Sequence, residues 1–360
     1  MIRAQIEKEF WSGKRVFITG HTGFKGSWLC LWLQSLGSHV KGYSLEPPTT
    51  PALFNEASVD DEMESEIGDI RDLASVTKSM VTFNPDVLIH MAAQPLVRLS
   101  YSNPVETYST NVMGTVHVLE AARECSNLRS IVIVTTDKCY ENKEWEWGYR
   151  ENESMGGYDP YSNSKGCVEL VTSAYRQSFF SDANGPQLAS ARAGNVIGGG
   201  DWAVDRLIPD AIKAFEKKQP VIVRNPQAIR PWQHVLEPIS GYLILAEQLY
   251  KNTHSFAEGW NFGPKDEDAR SVEWILNKMT QLWGEEASWQ LDIKSHPHEA
   301  NYLKLDISKA KNKLNWQPTW GLSYTLEKII QWQKNWLLGG NNKDYCLKEI
   351  NDYITSMKND

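Results

Sequence analysis

A glycine-rich turn lies between an apolar strand and an apolar helix near the amino terminus. The strand is predicted over Arg15–Thr19, and apolar residues recur at helical spacing from Trp28 to Leu36. The turn between them reads Gly20-His21-Thr22-Gly23-Phe24-Lys25-Gly26. Glycines permit a tight turn and let the backbone approach a pyrophosphate at the helix N-terminus. The turn therefore predicts a dinucleotide-binding loop, whose contact residues are Gly20, Thr22, Gly23, Phe24, Lys25 and Gly26.

Strands and helices alternate along the first half of the chain. Further strands are predicted at His39–Tyr43, near Ile67, and at Asp86–His90, Ser130–Val134 and Leu188–Arg192. Helices are predicted between them, and two long ones begin near Pro104 and Tyr161. This rhythm is typical of an α/β fold with a Rossmann-type, doubly wound parallel sheet.

The alternation ends after Arg192, so a second structural unit is expected there. Residues 1–193 are predicted to form the NAD-binding domain, with a segment near 233–260 returning to it. That segment contains a helix expected over about Pro238–Tyr250. Residues 194–232 and 261–360 are predicted to form a smaller, mixed α/β lobe that binds the substrate.

The end of the second strand bears on the choice of cofactor. An acidic residue there usually holds the ribose 2′-hydroxyl of NAD, and here either Ser44 or Glu46 could take that place. No arginine stands there to pair with a 2′-phosphate, so the sequence favours NAD over NADP. Further along the chain, Asp69 and Ile70 are suited to an adenine contact, although Asp69 could equally cap the helix that follows.

Tyr161 and Lys165 are four residues apart and share one face of a predicted helix. A nearby ammonium and a cationic nicotinamide favour the phenolate form of a tyrosine, which can take the proton of a sugar hydroxyl. The pair follows Thr135 and Thr136, at the end of a sheet strand where the ligand crevice of this fold lies. Thr136 is placed to bind the reacting hydroxyl.

These features together resemble the extended short-chain dehydrogenase/reductase family. The resemblance rests on the glycine loop, the segment 90–94, Asn111, Thr136 and the tyrosine–lysine pair, and it runs over nearly the whole chain. It implies NAD that is bound tightly and recycled in each turnover. It also implies cofactor contacts from Ala92, Ala93, Gln94, Asn111, Thr135, Tyr161 and Lys165.

One dipeptide and two longer segments resemble the branch of this family that dehydrates CDP-glucose. They are Asp137-Lys138 and the segments 192–202 and 230–235. The resemblance implies CDP-4-keto-6-deoxy-D-glucose and water as products. It further implies a supply of 3,6-dideoxyhexose for the lipopolysaccharide O antigen, and a homodimer or homotetramer assembled through the two long helices.

Dehydration across C5 and C6 of a 4-keto sugar needs a base at C5 and an acid at the C6 hydroxyl. Asp137 is predicted to be that acid, and Lys138 the C5 base or a group that stabilises the enolate. Related dTDP-glucose enzymes carry Asp-Glu here, and a lysine acts as a base only when burial or positive charge lowers its pKa. The alternative is that Lys138 only pairs with Asp137 or with a phosphate.

A sugar diphosphate also needs cations and amides from the second lobe. Arg206 and Arg230 are candidate clamps because a guanidinium donates two bonds at once. Asn195 resembles residues that hold the diphosphate in related enzymes, and Arg98 is assigned to the sugar end. His296 is assigned to a nucleotide-side loop, since His296 and His298 lack further ligands at metal-site spacing.

The composition and net charge limit the possible binding partners and the cellular compartment. The net charge is −8, which argues against a nucleic-acid or anionic-membrane partner. Five scattered cysteines, a charged amino terminus and the absence of a long apolar run favour the cytoplasm. The alternatives are another nucleotide-sugar dehydratase or 4-epimerase, or a non-catalytic cofactor-binding regulator. Retention of the catalytic residues counts against the regulator.

Overall fold

The computed structural model describes residues 3–251, 254–292 and 303–359. The strands, in chain order, are β1 (Arg15–Thr19), β2 (His39–Ser44), β3 (Glu64–Ile67), β4 (Val87–His90), β5 (Ser130–Val134), β6 (Gln187–Arg192), β7 (Val196–Ile197), β8 (Val221–Val223), β9 (Ile229–Pro231), β10 (Gln233–His234), β11 (Gly259–Asn261), β12 (Ala269–Ser271) and β13 (Trp289–Leu291).

The α-helices, in chain order, are α1 (Lys8–Trp11), α2 (Phe24–Ser35), α3 (Leu53–Glu56), α4 (Leu73–Phe83), α5 (Val97–Ser102), α6 (Pro104–Tyr108), α7 (Gly114–Arg123), α8 (Pro160–Ser178), α9 (Leu207–Glu216), α10 (Leu236–Lys251), α11 (Val272–Trp283), α12 (Ser308–Lys313), α13 (Leu322–Leu337) and α14 (Asn342–Asn359). Short 3₁₀ helices lie at Val59–Glu62, Asp137–Cys139 and Asp266–Asp268, and a π-helical turn at Ser109–Met113 joins α6 to α7. None of the helices in the described part of the chain combines the length and apolar character needed to cross a bilayer.

Seven strands form the central sheet in the order β11-β6-β5-β4-β1-β2-β3, and every neighbouring pair is parallel. The predicted Rossmann-type sheet is therefore confirmed. Three of its strands, β4, β5 and β6, are buried along their whole length, and β1 is buried after Arg15. Continuous burial is expected where helices cover both faces of a parallel sheet.

The two faces of the sheet carry separate apolar cores. On one face, α2 and α10 bury Trp28, Leu29 and Tyr242. On the other face, α4, α7 and α8 bury Leu119 and Val168 beside strand residues. The edges of these helices determine which residues can reach the carboxyl ends of the strands.

Part of the chain beyond Arg192 lies against the central sheet. Helix α10 packs against β5 and β6, and β11 pairs with β6 as the outermost strand. The remaining short strands form three two-stranded sheets, β7 with β10, β8 with β13 and β9 with β12. A third apolar core, with α9, α11 and α13 around Ile212, Ile275 and Leu326, supports this mixed α/β region.

The helical run that was predicted from Pro104 differs from the expectation in one respect. It is interrupted at Ser109–Met113 by a π-helical turn. A π turn inserts one residue into the helix, so it rotates the face that follows. Val105, before the turn, is exposed, whereas Leu119, after it, is completely buried, so the two do not share one buried face.

Candidate active site

The glycine loop joins β1 to α2 with almost no free space. A Cβ atom on Gly26 would lie 2.1 Å from the carbonyl oxygen of Gly20, so the first turn of α2 and the loop touch through backbone alone. The N-cap of α2 is Gly23, which has no side chain to occupy the helix N-terminus. The exposed N–H groups and the positive end of the helix dipole are therefore available to an anion. The residues present fit a pyrophosphate.

The end of β2 lies directly beside this loop. The Ser44 hydroxyl is 2.8 Å from Thr22 Oγ1 and 3.1 Å from His21 Nδ1. Burial lowers the pKa of His21 to about 4, so its imidazole is neutral. Glu46 is exposed and lies two residues beyond the strand. Of the two candidates for the ribose, Ser44 is thus the one that contacts the loop.

Asp69 does not cap the helix that follows it. The N-cap of α4 is Asp72, whose side chain accepts a hydrogen bond from the N–H of Ser75 at 3.1 Å. Asp69 instead accepts hydrogen bonds from Arg71, which lower the pKa of the Asp69 carboxyl. The neighbouring Ile70 packs closely against Gly114, where a Cβ atom would lie 2.5 Å from Ile70 Cδ1.

Asn111 links the loop after β4 to the helix that carries Tyr161. Its Oδ1 accepts the N–H of Gln94 at 2.8 Å, and its Nδ2 donates to the Gln94 carbonyl oxygen and to Ser164 Oγ. Ser164 in turn donates to the carbonyl oxygen of Tyr161 at 2.7 Å. The π-helical turn is what brings the buried Asn111 side chain to this position. Ser164 was not among the residues predicted from the sequence.

The segment after β4 is held against β1 by Thr19. The Thr19 hydroxyl accepts the N–H groups of Met91 and Ala92, each at 3.1 Å, and lies 2.6 Å from His90 Nδ1. Burial lowers the pKa of His90 to about 3, so this histidine is neutral. The backbone at Ala92 also lies against Gly20 of the glycine loop. Ala92 thereby lies directly beside the glycine loop.

A short 3₁₀ helix that follows β5 carries the acidic candidate. Thr136 is its N-cap, and the Thr136 hydroxyl donates to Asp137 Oδ1 at 2.8 Å. Asp137 is buried, and a Cβ atom on Gly194, which follows β6, would lie 2.1 Å from its carboxylate. Asn195 Nδ2 approaches the same carboxylate at 3.5 Å. Only a glycine at position 194 leaves room for the Asp137 side chain.

Lys138 has a different environment from the one its predicted role requires. Its side chain is exposed, unlike its neighbours Asp137 and Cys139. Within the described ranges no ion pair or side-chain hydrogen bond joins its ammonium to Asp137, so the pairing that was considered as an alternative is absent from this structure.

Tyr161 and Lys165 lie together in the first turns of α8, as predicted, and both are buried. Burial raises the pKa of Tyr161 to about 12, and a hydrogen bond with Thr136 partly opposes that effect. Burial lowers the pKa of Lys165 to about 8, and its Nζ donates to the Val134 carbonyl oxygen at 3.5 Å. Ionisation of Tyr161 at neutral pH therefore needs further positive charge beside it.

The candidate substrate-binding arginines have acidic partners. Arg98, half-exposed on α5, pairs with Asp205 at 2.6 Å, and Arg206 pairs with Asp201 at 3.2 Å. Arg206 also acts on the active site, because its charge lowers the pKa values of Tyr161 and Lys25. Arg230 lies on β9, where one of its bonds goes to the carbonyl oxygen of Ile229. His296 lies outside the described residues.

Comparison with known proteins places this geometry in context. A family model described as GDP-mannose 4,6 dehydratase matches residues 17–329. The chain is 61% identical over 355 residues to the CDP-glucose 4,6-dehydratase of Salmonella typhimurium, covering 98% of this chain and 99% of that protein. It is 25% identical to a probable dTDP-glucose 4,6-dehydratase of Sinorhizobium fredii, covering 88% and 92%.

Solved structures of similar fold include two sugar-nucleotide epimerases. The UDP-glucose 4-epimerase of Thermotoga maritima, solved with UDP-glucose, gives a TM-score of 0.76 at 18% identity, covering 90% of this chain and 99% of that one. The UDP-glucuronic acid 4-epimerase of Bacillus cereus, solved with UDP-glucuronic acid and NAD, gives 0.76 at 24% identity, covering 89% and 99%.

We predict that Asn111→Ala destabilises the protein by about 2–3 kcal/mol, because it removes three hydrogen bonds, one fully and two partly buried, and leaves their partners unsatisfied. Urea unfolding followed by circular dichroism measures the change. Asn127→Ala, at an exposed position, serves as the matched control and should change the free energy of unfolding by less than about 0.5 kcal/mol. Equal effects of the two substitutions would contradict the linking role of Asn111.

Proposed function

The chain belongs to the GDP-mannose 4,6-dehydratase family, and on that premise we propose that it converts CDP-D-glucose to CDP-4-keto-6-deoxy-D-glucose and water. The observation that carries this proposal is the 61% identity to the Salmonella typhimurium CDP-glucose 4,6-dehydratase over nearly the full length of both chains. The resemblance that was drawn from the sequence is confirmed by both matches. The activity makes the protein a carbon–oxygen lyase that uses NAD.

Several features of the chain suit NAD as the cofactor. The close contact of Gly26 with Gly20 and the bare N-terminus of α2 fit a pyrophosphate. Ser44 supplies a hydroxyl at the end of β2, and Asn111 orders the backbone at Gln94. When bound, NAD supplies a hydride acceptor for C4 of the sugar and returns the same hydride at C6.

The first chemical step needs a base for the sugar 4-hydroxyl. Tyr161 takes that proton, with Thr136 holding the hydroxyl, while the hydride leaves C4. The ammonium of Lys165, one helical turn along α8, stabilises the phenolate against the effect of burial. The hydrogen bond of Thr136 to Tyr161 and the burial of both side chains support this assignment.

The second step eliminates water across C5 and C6. The C5–H bond breaks and its proton goes to Lys138, while the C6–O bond breaks and Asp137 donates the proton that completes the water molecule. Lys138 then returns its proton to C5, while C6 takes the hydride that NAD would supply when bound. The buried Asp137, fixed by Thr136 and by the space at Gly194, supports its role as the acid. The exposed Lys138 is accessible to the sugar, whose binding would desolvate its amine.

We assign the diphosphate to Arg206, Arg230 and Asn195, and the sugar side of the cleft to Arg98. The influence of Arg206 on the pKa of Tyr161 and the contact of Asn195 with Asp137 support this arrangement. His296 is assigned to the nucleotide side from the sequence alone.

Residues 1–193 and 233–260 are assigned to the cofactor lobe, and 194–232 with 261–360 to the substrate lobe. The pairing of β11 with β6 supports this division.

We further assign the enzyme to the cytoplasm and to a homodimer or homotetramer. The five cysteines are all free, and four of them are buried, which suits a reducing compartment.

Helices α6 and α8 pack side by side, yet three apolar side chains of this helical layer face solvent. These are Val105, Met113 and Leu170, with 82%, 47% and 61% of their surface exposed. Two such faces packed about a two-fold axis would form a four-helix bundle.

The substrate prediction is tested with CDP-, dTDP- and GDP-glucose in separate incubations. We expect the alkali-induced absorbance of a 4-keto-6-deoxy sugar to form with CDP-glucose at least about tenfold faster than with the others, since the base must be read by specific contacts. Turnover of dTDP-glucose alone would exclude the CDP assignment. Formation of CDP-galactose in place of the keto sugar would identify a 4-epimerase.

The role of Lys138 is tested by Lys138→Ala in D₂O. Loss of a general base typically costs about 10²–10⁴-fold, so we expect deuterium incorporation at C5 and formation of the 6-deoxy product to fall by that factor. Oxidation at C4, followed as nicotinamide reduction in a single turnover, should persist. Lys143→Ala, another exposed lysine in the following loop, is the control. Wild-type rates of both C5 deuteration and product formation in Lys138→Ala would exclude a chemical role.

The oligomer is tested with Leu170→Glu, which places a charge in the exposed apolar face of α8. We expect the molar mass from light scattering to fall to that of a monomer, because an unpaired charge in an apolar interface is costly. Leu338→Glu adds the same charge at another exposed leucine, 87% of whose surface is accessible, and should leave the mass unchanged. A monomeric wild-type protein would refute the assembly.

A further inference from the structure

A third ionisable residue shares the face of α8 that carries Tyr161 and Lys165. Glu169 lies one turn beyond Lys165, at the same four-residue spacing, and it is buried. Its carboxylate accepts hydrogen bonds from the hydroxyls of Thr135 and Ser190, the latter at 2.6 Å. Its only link to the proposed substrate and cofactor groups is the hydrogen bond with Thr135. Glu169 is therefore not itself a catalytic residue.

Arg192, at the end of β6, keeps the Glu169 carboxylate charged. Its Nη2 lies 2.7 Å from Glu169 Oε2, and both side chains are almost completely buried. This pairing and the two hydroxyl bonds outweigh burial and lower the pKa of Glu169. Arg192 Nη1 also donates to the Tyr140 hydroxyl at 2.6 Å. A Cβ atom on Gly259 would lie 2.5 Å from the guanidinium, so the neighbouring strand fixes its position.

The charges that face Lys165 come from several elements. His90 on β4 is neutral, and burial raises the pKa of the Cys139 thiol well above its usual value. Lys25 on α2 is within electrostatic reach of Lys165, whose charge lowers the pKa of Lys25, and Tyr161 is a phenol at neutral pH. Among the groups that raise the pKa of Lys165, Glu169 comes first, and it is the one that carries a negative charge.

We propose that Glu169 is a positioning residue of the active site, which holds the side chain of Lys165 in its ammonium form and ties the catalytic helix to the ends of β5 and β6. The proposal rests on the function proposed above, because an uncharged Lys165 could not stabilise the Tyr161 phenolate. Its action is indirect, through Lys165. Arg192 contributes by keeping Glu169 ionised.

The test is a titration of Lys165 in the whole enzyme without nucleotide sugar. The ¹³Cε resonance of Lys165, assigned by its loss in Lys165→Met, reports the protonation state of the amine. An opposite charge nearby typically shifts a pKa by about 1–3 units, and its removal reverses that shift. We therefore expect the Lys165 titration in Glu169→Gln to move about one pH unit or more towards acid. The alkaline limb of kcat with CDP-glucose should move in the same direction.

Two further variants separate this role from a purely structural one. Ser190→Ala removes one hydrogen bond to Glu169 but keeps the carboxylate, so the Lys165 titration should remain within about 0.3 units of wild type. If Glu169→Gln does not fold because Arg192 is left unpaired, the double variant Glu169→Gln/Arg192→Met removes both buried charges, and Lys165 should still titrate at lower pH. A wild-type Lys165 titration in the folded Gln variants would overturn the proposal. Because the titration needs no substrate, a failure to turn over CDP-glucose would refute only the proposed function.

Discussion

Four neighbouring parallel strands end at one edge of the sheet, and this shared edge brings the candidate catalytic groups together. β1 leads into the glycine loop, β4 into the segment at Ala92, β5 into Thr136 and Asp137, and β6 into Gly194. Neighbouring strands lie about 4.8 Å apart, so residues far apart in sequence contact each other across the edge. The space that Gly194 leaves for Asp137 is one result of that spacing.

Burial of the catalytic side chains strengthens the interactions between them and also disfavours the charged forms that the reaction needs. Excluding water strengthens each interaction inside the cleft, but it raises the pKa of Tyr161 to about 12 and lowers that of Lys165 to about 8. Both shifts favour the uncharged forms, whereas proton abstraction by Tyr161 needs a phenolate beside an ammonium. The hydrogen bond between Tyr161 and Thr136 and the charge of Glu169 act in the opposite direction. The polar groups packed behind the catalytic pair are therefore part of how it works.

The sequence predicted those features whose signal is local or periodic. Apolar runs located β1, β4, β5 and β6 to within about a residue, and spacing alone placed Tyr161 and Lys165 on one face. Features that depend on distant partners were not predictable in this way. The π-helical turn that aims Asn111 at Ser164, the pairing of Arg98 with Asp205 and the exposure of Lys138 all arise from tertiary contacts. The four-residue spacing from Tyr161 through Lys165 could have identified Glu169 from the sequence. Its partner Arg192 lies on β6, and only the fold brings the two together.

An acidic chain that binds a diphosphate must concentrate positive charge locally, and the candidate site does so. Arg206 and Lys165 both disfavour the charge of Lys25 there, and Asp137 is the carboxylate that favours it. Together with burial, this repulsion lowers the pKa of Lys25 to about 7, so that a large fraction of Lys25 is neutral at physiological pH. An anion entering the cleft would reverse the sign of the local potential and raise that pKa. By linkage, binding of the anionic ligand is then accompanied by proton uptake at Lys25, and its affinity falls as the pH rises above 7.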